Sequence, residues 1–464
     1  MRVGFIGRRE ELALLERAHA ARESAFIPIY GRRRVGKSEL ILKFLESRRG
    51  IYFVGKQAPS GLLVKEFLRE AAVALDEPLL ATASIDTWQG ALTAVFERWR
   101  APQKCILALD EFQWIAAASP ELPSTLQELW DRHWSKAQNV LLILCGSYVG
   151  FMEREVLGRK SPLFGRRTAQ ILLRPFGYRE AAEFHPSYSL EDRARTYFLC
   201  GGMPFYLRFY SSARSIEQNI AATLLDEHGP LRREPEFLLR EELRDVENYY
   251  AALNAIASGH AAACDISRVS GIGDRALHYY LQQLCDLGYV RRRYPLTGAP
   301  PAKRHVRFAI EDPLLRFWFR FVFPNSSYVA QRGPEHALRD RIRPELASYF
   351  GSCFEALCRE ALPLLYEREG VTAAFDVGEY WDKSVQVDVV GLRDDGWTDL
   401  GECKWGAAGS ARALLGELER KVALYPNKRA ATIGRRLFTQ KPPPSGSEEG
   451  AAARWHDLRD LYHR

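Results

Sequence analysis

The chain has 464 residues, of which 47% are apolar and 27% are charged, and its formal net charge is +7. This balance excludes a disordered protein, and the length exceeds what one ordinary core accommodates, so we expect two to four domains. The mild positive charge is compatible with nucleic acid but does not by itself indicate a nucleic-acid partner.

The cysteines and the first residues indicate the compartment. The 8 cysteines are scattered without a CxxC pair, mostly within apolar runs. This pattern predicts buried thiols of a reducing compartment and no disulfide or zinc site. The N-terminal segment lacks the apolar region of a signal peptide, and no apolar run approaches the roughly 20 residues that span a bilayer. We therefore expect a cytoplasmic protein with no membrane partner.

The N-terminal third alternates short apolar runs with amphipathic stretches. The apolar runs cover residues 26–31, 51–54, 105–110 and 140–146. Strands that are apolar on both faces and alternate with helices are typical of a parallel sheet that is covered on both sides. The sequence therefore predicts an α/β domain here.

The first apolar run leads into a phosphate-binding loop of the form GxxxxGK[ST]. Its members are Gly31, Arg32, Arg33, Arg34, Val35, Gly36, Lys37 and Ser38. The glycines allow backbone N–H groups to curl around a phosphate, while Lys37 bridges the outer phosphates and Ser38 supplies a hydroxyl for Mg²⁺. A strand before the loop and a helix after it give the motif the context it needs, so the sequence predicts an ATP site.

Two acidic residues end the apolar run at 105–110. An acid at the carboxyl end of a buried strand lies beside the phosphate loop in a doubly wound sheet. We expect Asp110 to hold Mg²⁺ through water and Glu111 to polarise the attacking water. Acids after a strand are also common as turn or cap residues, but their pairing with the loop favours catalysis.

Further polar residues follow the run at 140–146. Ser147 either senses the γ-phosphate or caps the next helix, and the pattern does not decide between these roles. Arg166 and Arg167 follow Gly165 and could serve as an arginine finger in cis or in trans. A solvated basic turn is an equal alternative for the two arginines.

Several motifs together resemble the archaeal-type ATPase family, a branch of P-loop ATPases related to AAA+ and STAND proteins. They are Phe5-x-Gly7-Arg8-x-x-Glu11, the phosphate loop with its acids, Gly146-Ser147, Gly165-Arg166-Arg167 and Gly202-Met203-Pro204. The resemblance covers about residues 1–245 and implies that Gly7 and Arg8 contribute to the nucleotide pocket. It also implies self-association, because such sites are usually completed by a neighbour's arginine.

The middle of the chain is predicted to be helical. Residues 246–310 read as three helices and a hairpin, which is a winged helix-turn-helix pattern. In a DNA complex, Arg275, His278 and Gln282 would face the groove, and Arg291–Arg293 would meet phosphates. A packing or partner module with a solvated basic wing remains an equal alternative.

A second constellation lies near the C-terminus. Asp388 falls in one predicted strand, and Glu402 and Lys404 share a face of the next because they are two residues apart. Acids from neighbouring strands can hold one or two Mg²⁺ ions, and a nearby lysine can orient the attacking water. Glu355 adds a third acid on the preceding predicted helix. An exposed Glu–Lys pair across a strand is the alternative.

This order of residues resembles the restriction-endonuclease-like, or PD-(D/E)xK, nucleases over about residues 311–440. The resemblance implies that Glu355, Asp388 and Glu402 are ligands of Mg²⁺, with Mn²⁺ as a substitute, and that Lys404 is the catalytic lysine. One departure is that no proline precedes Asp388.

Taken together, these patterns predict a multidomain α/β chain. The predicted parts are a P-loop ATPase core (1–175), a helical lid (176–245), a winged helix (246–323), a linker (324–345) and a PD-(D/E)xK nuclease-like domain (346–464). The predicted function is an ATPase coupled to a metal-dependent DNA nuclease that forms a homo-oligomer. The alternatives are a nucleotide-switched DNA- or protein-binding regulator with an inactive nuclease fold, and a signalling ATPase that senses a protein or peptide.

Overall fold

The computed structural model describes residues 4–100, 102–298, 306–406, 410–442 and 453–463. The chain divides into two compact units, Met1–Pro175 with Met203–Phe205, and Phe176–Gly202 with Tyr206–Arg464. Among the residues so described, no helix combines the length and apolarity that crossing a bilayer requires.

The first unit is built on a parallel sheet of five strands in the order β2-β3-β4-β1-β5. The strands are β1 (Ala25–Tyr30), β2 (Gly50–Val54), β3 (Cys105–Asp110), β4 (Val140–Gly146) and β5 (Ile171–Leu172). Every residue of β1, β3 and β4 is buried, because helices cover both faces of the sheet. The prediction of a parallel α/β sheet is confirmed.

The helices of the first unit follow the predicted alternation with strands. They are Arg9–Ala20, Lys37–Leu45, Ser60–Leu75, Trp88–Arg98, Phe112–Ala118, Leu122–Leu129, Ser135–Ala137 and Val149–Phe151, with a 3₁₀ turn at Pro78–Thr82 and π-helical turns at Trp130–Trp134 and Met152–Val156. Thr87 caps its helix by accepting a hydrogen bond from the Gly90 N–H.

The strand order brings three chain segments to one edge of this sheet. β4 lies between β3 and β1, with Tyr30 in register with Gly146 and Leu109 with Leu144. Since all three strands are parallel, their carboxyl ends meet at the same edge. The segments after Tyr30, Leu109 and Gly146 are those that carry the predicted nucleotide-binding residues.

The second unit begins with helices. They are Tyr178–Ala181, Leu190–Cys200, Pro204–Leu207 (which starts in the first unit), Ile216–Ile220, Glu234–Glu242, Glu247–Ala257, Ala263–Ser270, Asp274–Asp286, Pro313–Phe317, Ser326–Arg332, Pro334–Ala337, Arg343–Arg368, Ala411–Leu424 and Leu458–Tyr462. Short 3₁₀ or π-helical turns extend this set at Ala182–Phe184, Ala221–Leu225, Trp318–Val322 and Leu338–Ile342.

The segment 324–345, which the sequence predicts to be a linker, is largely helical. Pro324 lies in the turn before the helix Ser326–Arg332, whereas Pro334 and Pro344 occupy first-turn positions of helices. A proline is tolerated there, since the N–H that it lacks would have no partner within the helix. Proline content alone therefore misled the interpretation of this segment.

Three helices and a two-stranded hairpin form the middle of the second unit. The helices Glu247–Ala257, Ala263–Ser270 and Asp274–Asp286 precede the antiparallel strands β6 (Val290–Arg293) and β7 (Arg307–Ile310). The third helix buries Leu277, Leu281 and Leu284 at helical spacing. These elements match the predicted order of helices and hairpin, and the identification as a winged helix stays a prediction.

A separate mixed sheet lies near the C-terminus, with the strand order β12-β11-β10-β9-β8. The strands are β8 (Phe375–Trp381), β9 (Gln386–Arg393), β10 (Trp397–Lys404), β11 (Thr432–Thr439) and β12 (Arg454–His456). β9 pairs antiparallel with β8 and β10, whereas β11 runs parallel to β10 and β12. β12 was not predicted from the sequence.

Candidate nucleotide site and carboxylate cluster

The phosphate loop between β1 and the helix Lys37–Leu45 depends on its two glycines. Gly31 has φ +153°, and a Cβ at this position would meet the carbonyl oxygen of Leu173 at 2.2 Å. Gly36 has φ +93°, a conformation that L residues rarely adopt. Arg34, between them, also lies in the left-handed region, with φ 69°. The loop therefore has a tightly curled backbone that glycine makes possible.

Lys37 is enclosed by the loop that precedes it. Its Nζ donates hydrogen bonds of 2.9 and 3.0 Å to the carbonyl oxygens of Gly31 and Arg32, and the residue is 6% exposed. Burial lowers the pKa of Lys37, while Cys145, Glu111 and Asp110 act in the opposite direction. The ammonium group is thus held at the centre of the loop, where an incoming anionic phosphate would stabilise its charged form.

Asp110 at the end of β3 accepts hydrogen bonds on both carboxylate oxygens. Ser38 and Tyr52 donate to Oδ2 at 2.6 and 2.7 Å, and the Glu111 N–H donates to Oδ1 at 2.8 Å. Burial and the Asp110 carboxylate raise the pKa of Tyr52, so its hydroxyl stays a donor. Tyr52 was not among the predicted residues. The hydroxyl of Ser38 and the carboxylate of Asp110 are oxygen ligands of the kind that Mg²⁺ prefers.

Glu111 is positioned by two side chains. Ser147 donates a 2.9 Å hydrogen bond to Glu111 Oε2, and Gln113 donates to the same oxygen and, at 3.1 Å, to Ser147 Oγ. The backbone of Glu111 is left-handed, with φ 49°, a conformation that is strained for a residue with a side chain. Such strain is typical of functional positions. The hydroxyl of Ser147 therefore donates to Glu111. It does not cap the next helix, whose N-cap residue is Tyr148.

Arg8 contacts the backbone around the loop. Its guanidinium donates to the carbonyl oxygens of Val35 at 3.2 Å and Arg174 at 2.7 Å. Gly7 and Arg8 both have positive φ, at 63° and 58°, which turns the chain into the first helix. The structure thus places Arg8 against the phosphate loop, and the contribution of Gly7 and Arg8 to a nucleotide pocket stays a prediction.

The two candidate finger arginines differ in their surroundings. Arg166 forms a two-pronged ion pair with Asp131 through Nε and Nη2, at 2.8 and 2.7 Å, and donates to the carbonyl oxygens of Pro162 and Phe164. Arg167 is exposed. Arg166 would have to leave Asp131 before it could reach a nucleotide, whereas Arg167 could reach a neighbouring molecule without that step.

The predicted C-terminal acids come from three elements. Asp388 lies on β9, Glu402 on β10 and Glu355 on the helix Arg343–Arg368. Asp388 and Glu402 are 6% and 7% exposed, and Asp388 Oδ2 accepts a 3.1 Å hydrogen bond from the Cys403 N–H. Burial and the charge of Asp388 raise the pKa of both Glu355 and Glu402 to about 7. Asp388 therefore lies close enough to each glutamate to influence its protonation.

A lysine outside the predicted motif faces these acids. Lys421, on the helix Ala411–Leu424, forms an ion pair with Glu402, and its side chain is 14% exposed. Lys404, the predicted catalytic lysine, is exposed. The sequence contains a signal for Lys421, because it continues the buried stripe of Leu414, Leu418 and Tyr425 at helical spacing.

The donor chemistry of this carboxylate cluster (Glu355, Asp388 and Glu402) suits a divalent cation. Buried carboxylates with raised pKa values gain from a nearby positive charge, and Mg²⁺ prefers carboxylate oxygens. In the part of the chain that the structure describes, however, no group of three or more His, Cys, Asp or Glu side chains is arranged to hold a metal ion. The expectation that all three acids share one ion stays a prediction.

The residues proposed for DNA contact divide into two sets. Arg275, His278 and Gln282 are exposed on the helix Asp274–Asp286. The wing arginines instead have partners within the protein: Arg291 pairs with Glu311 at 3.0 Å, Arg292 donates to Gln282, and Arg293 pairs with the largely buried Glu379. Arg291 and Arg292 are nevertheless exposed, so the helix and the wing both present polar side chains to solvent.

The sheet, the loop and the Ser38–Asp110 pair define a P-loop ATPase-type protein. Residues 5–208 match an ATPase domain family predominantly from Archaea, and residues 318–414 match a family described as archaea bacterial proteins of unknown function. An uncharacterized protein of Methanocaldococcus jannaschii is 30% identical over 405 residues, which cover 86% of this chain and 87% of that protein. The chain belongs to the same family as that protein.

Matches among solved structures include proteins of Pyrococcus abyssi and Aeropyrum pernix. The Walker-type ATPase of Pyrococcus abyssi is 19% identical, with a TM-score of 0.48, and the match covers 69% of this chain and 97% of that one. The ORC2 protein of Aeropyrum pernix, solved in ADPNP and ADP complexes, is 16% identical with a TM-score of 0.44, covering 71% of this chain and 96% of that one.

Proposed function

We propose that the chain is an ATP-hydrolysing switch that controls a metal-dependent DNA nuclease at its C-terminal end. The observation that carries the ATPase half is the hydrogen-bonded set of Ser38, Asp110, Glu111 and Ser147 beside the enclosed ammonium group of Lys37. At one edge of the sheet it combines a cation for phosphate (Lys37), two oxygen groups that suit Mg²⁺ (Ser38 and Asp110) and a carboxylate held in place (Glu111).

In this proposal, the loop N–H groups and Lys37 bind the β- and γ-phosphates of ATP. Ser38 and Asp110 would hold Mg²⁺, which when bound neutralises phosphate charge. Glu111 accepts a proton from the attacking water, and Ser147 and Gln113 keep its carboxylate oriented. ATP-dependent self-association, with Arg167 or Arg166 of a neighbour completing the site, is part of the same proposal.

The nuclease half rests on the carboxylate cluster. Glu355, Asp388 and Glu402 would hold Mg²⁺ or Mn²⁺, which when bound stabilises negative charge on a phosphodiester. Lys404, exposed two residues after Glu402 on β10, would orient water or contact the scissile phosphate, and Lys421 would balance the charge of Glu402. The three helices and hairpin would act as a winged helix, with Arg275, His278 and Gln282 toward the DNA.

A second candidate is a nucleotide-switched DNA- or protein-binding regulator without nuclease activity. Two observations favour it. Lys421 already forms an ion pair with the carboxylate of Glu402. The described residues contain no group of three His, Cys, Asp or Glu side chains that could hold a metal ion. In this alternative, the buried charges stabilise the fold and the exposed helix surface binds the partner.

Cleavage of a labelled plasmid and a branched oligonucleotide in Mg²⁺ or Mn²⁺ tests the nuclease half. Wild type, Glu402→Gln, Lys404→Ala and Lys37→Ala are compared with and without ATP. The proposal requires that wild type cuts and Glu402→Gln does not, with Lys37→Ala showing whether ATP controls cutting. If wild type hydrolyses ATP but leaves every substrate intact, the regulator is the better account.

A further inference from the structure

The second unit contains a cleft of about 390 Å³ that neither proposed activity uses. Its walls come from the turn after the helix Glu247–Ala257, from β7, and from the helices that begin at Pro313 and Arg343. Sites for small molecules usually have volumes of about 300–1,000 Å³, so the cleft is large enough for a compact ligand.

Three arginines line the cleft, and one of them lacks an acidic partner. Arg293 pairs with Glu379, and Arg320 pairs with Glu345. Arg316 forms no ion pair with any described residue, and its Nε donates only a long hydrogen bond of 3.4 Å to the hydroxyl of Tyr349. The Glu311 carboxylate stabilises the charge of Arg316 only from beyond ion-pair distance and is itself paired with Arg291. The cleft therefore contains a guanidinium group without a direct acidic partner among the described residues, which favours an anionic ligand.

Hydroxyl groups and apolar surface accompany this charge. Ser348 and Ser352 are exposed to the cleft on the helix Arg343–Arg368, and their spacing of four residues places them on one helix face. Ile256, Phe308 and Phe321 supply apolar lining. A guanidinium group beside hydroxyls matches the oxygens of a phosphate, and the apolar lining matches a flat ring.

We propose that this cleft binds a phosphomonoester of nucleotide size, with Arg316, Ser348 and Ser352 on the phosphate and the apolar lining against the base. Ser348, Ser352 and Glu355 follow one another at helical spacing along one face of the helix. An occupied cleft thus contacts the helix that carries one acid of the carboxylate cluster. The proposal requires neither ATP hydrolysis nor DNA cleavage.

Equilibrium dialysis of the full chain with AMP tests this site while a non-hydrolysable ATP analogue saturates the phosphate loop. Arg316→Gln should weaken AMP binding by roughly tenfold or more, because a charge-assisted hydrogen bond is lost. Ser352→Ala retains every charge and should weaken it severalfold. Arg332→Gln changes an exposed arginine outside the cleft and should leave the affinity unchanged.

Lys37→Ala distinguishes the two nucleotide sites, since it alters the loop and leaves the cleft intact. The proposal requires that AMP binding survives in Lys37→Ala and is weakened in Arg316→Gln. It is overturned if wild type takes up no AMP, if Arg316→Gln binds AMP as wild type does, or if inorganic phosphate binds as tightly as AMP. The affinity for a 5′-phosphorylated dinucleotide is measured in parallel. Comparison with AMP shows whether the cleft prefers a free nucleotide or the 5′ end of a nucleic-acid strand.

Discussion

The hydroxyl of Ser38 donates a 2.6 Å hydrogen bond to Oδ2 of Asp110, although 72 positions separate the two residues in the chain. The contact forms because β4 lies between β1 and β3, so the segments after β1 and β3 face each other across its end. In the proposed function these two oxygens are the Mg²⁺ ligands that accompany ATP. The hydrogen bond shows that the fold brings them together.

Lys37→Ala should weaken ATP binding by roughly tenfold or more, since the enclosed ammonium group is the cation aimed at the phosphates. Titration with a fluorescent ATP analogue measures the change. Lys43→Ala is a matched control, because Lys43 lies on the same helix but is half-exposed and pairs with Glu46. Equal affinities for wild type and Lys37→Ala would contradict the assigned role.

Gly31→Ala should lower the free energy of unfolding of the first unit by about 1–3 kcal/mol, because the new Cβ would lie 2.2 Å from the Leu173 carbonyl oxygen. Thermal or chemical unfolding measures the loss. Gly61→Ala serves as the control, since nothing lies within 4 Å of its Cβ position. If both variants unfold like wild type, the close approach of Leu173 to the loop does not occur in solution.

Lys421→Met should destabilise the protein because it leaves the largely buried Glu402 carboxylate without its cation. The pKa of Glu402 is about 7 with Lys421 present, and removal of the lysine raises it. The loss should therefore be larger at pH 8, where Glu402 must be charged, than at pH 6, where it binds a proton. Denaturant unfolding at both pH values measures this difference.

The double variant Lys421→Met/Glu402→Gln completes this test. It removes both charges and should recover much of the stability that Lys421→Met loses. Lys404→Ala, which changes an exposed lysine on the neighbouring strand, should be nearly neutral. Equal losses in Lys421→Met and the double variant at pH 8 would show that the ion pair is not formed.

Acid should destabilise the second unit through His456. Burial and the Arg436 guanidinium lower the pKa of His456 from 6.5 to about 4, and Arg436 donates a 3.1 Å hydrogen bond to its Nε2. Because the folded pKa lies below the unfolded one, this contribution is complete above pH 6.5 and is lost as the pH falls toward 4. Its size is on the order of 3 kcal/mol.

Unfolding measured between pH 7.5 and 4.5 in wild type and His456→Gln checks this contribution. The variant has no titrating ring, so its stability should fall less over this range. If the two proteins lose stability in parallel, the imidazole is not held neutral against Arg436.

The nucleotide site was predictable because its main residues form a contiguous motif. Each position of the phosphate loop follows from local backbone requirements, and Asp110 follows from the end of a buried strand. Tyr52 and Gln113 escaped prediction because their contacts depend on strand register and on the helix after β3. Val54 lies in register with Asp110, which places Tyr52 two residues before that position.

The C-terminal cluster was predicted in part. Asp388 and Glu402 lie on the neighbouring strands β9 and β10, as the pattern of alternating side chains predicted. It does not show that the helix Ala411–Leu424 packs so that Lys421 reaches Glu402. Arg293 was expected to be a phosphate contact of the wing, yet it pairs with Glu379 of β8, a contact that no local pattern reveals.

ATP hydrolysis by Glu111→Gln tests the central claim most directly. In the proposed mechanism Glu111, held by Ser147 and Gln113, accepts a proton from water and does not bind the phosphates, so the variant should bind ATP with near wild-type affinity. Its rate of hydrolysis should fall by roughly 10²–10⁴-fold, the usual contribution of a general base. Hydrolysis measured under single turnover, with binding measured on the same samples, separates the two effects. Unchanged hydrolysis by Glu111→Gln, or no hydrolysis by wild type with Mg²⁺ and ATP, would contradict the account.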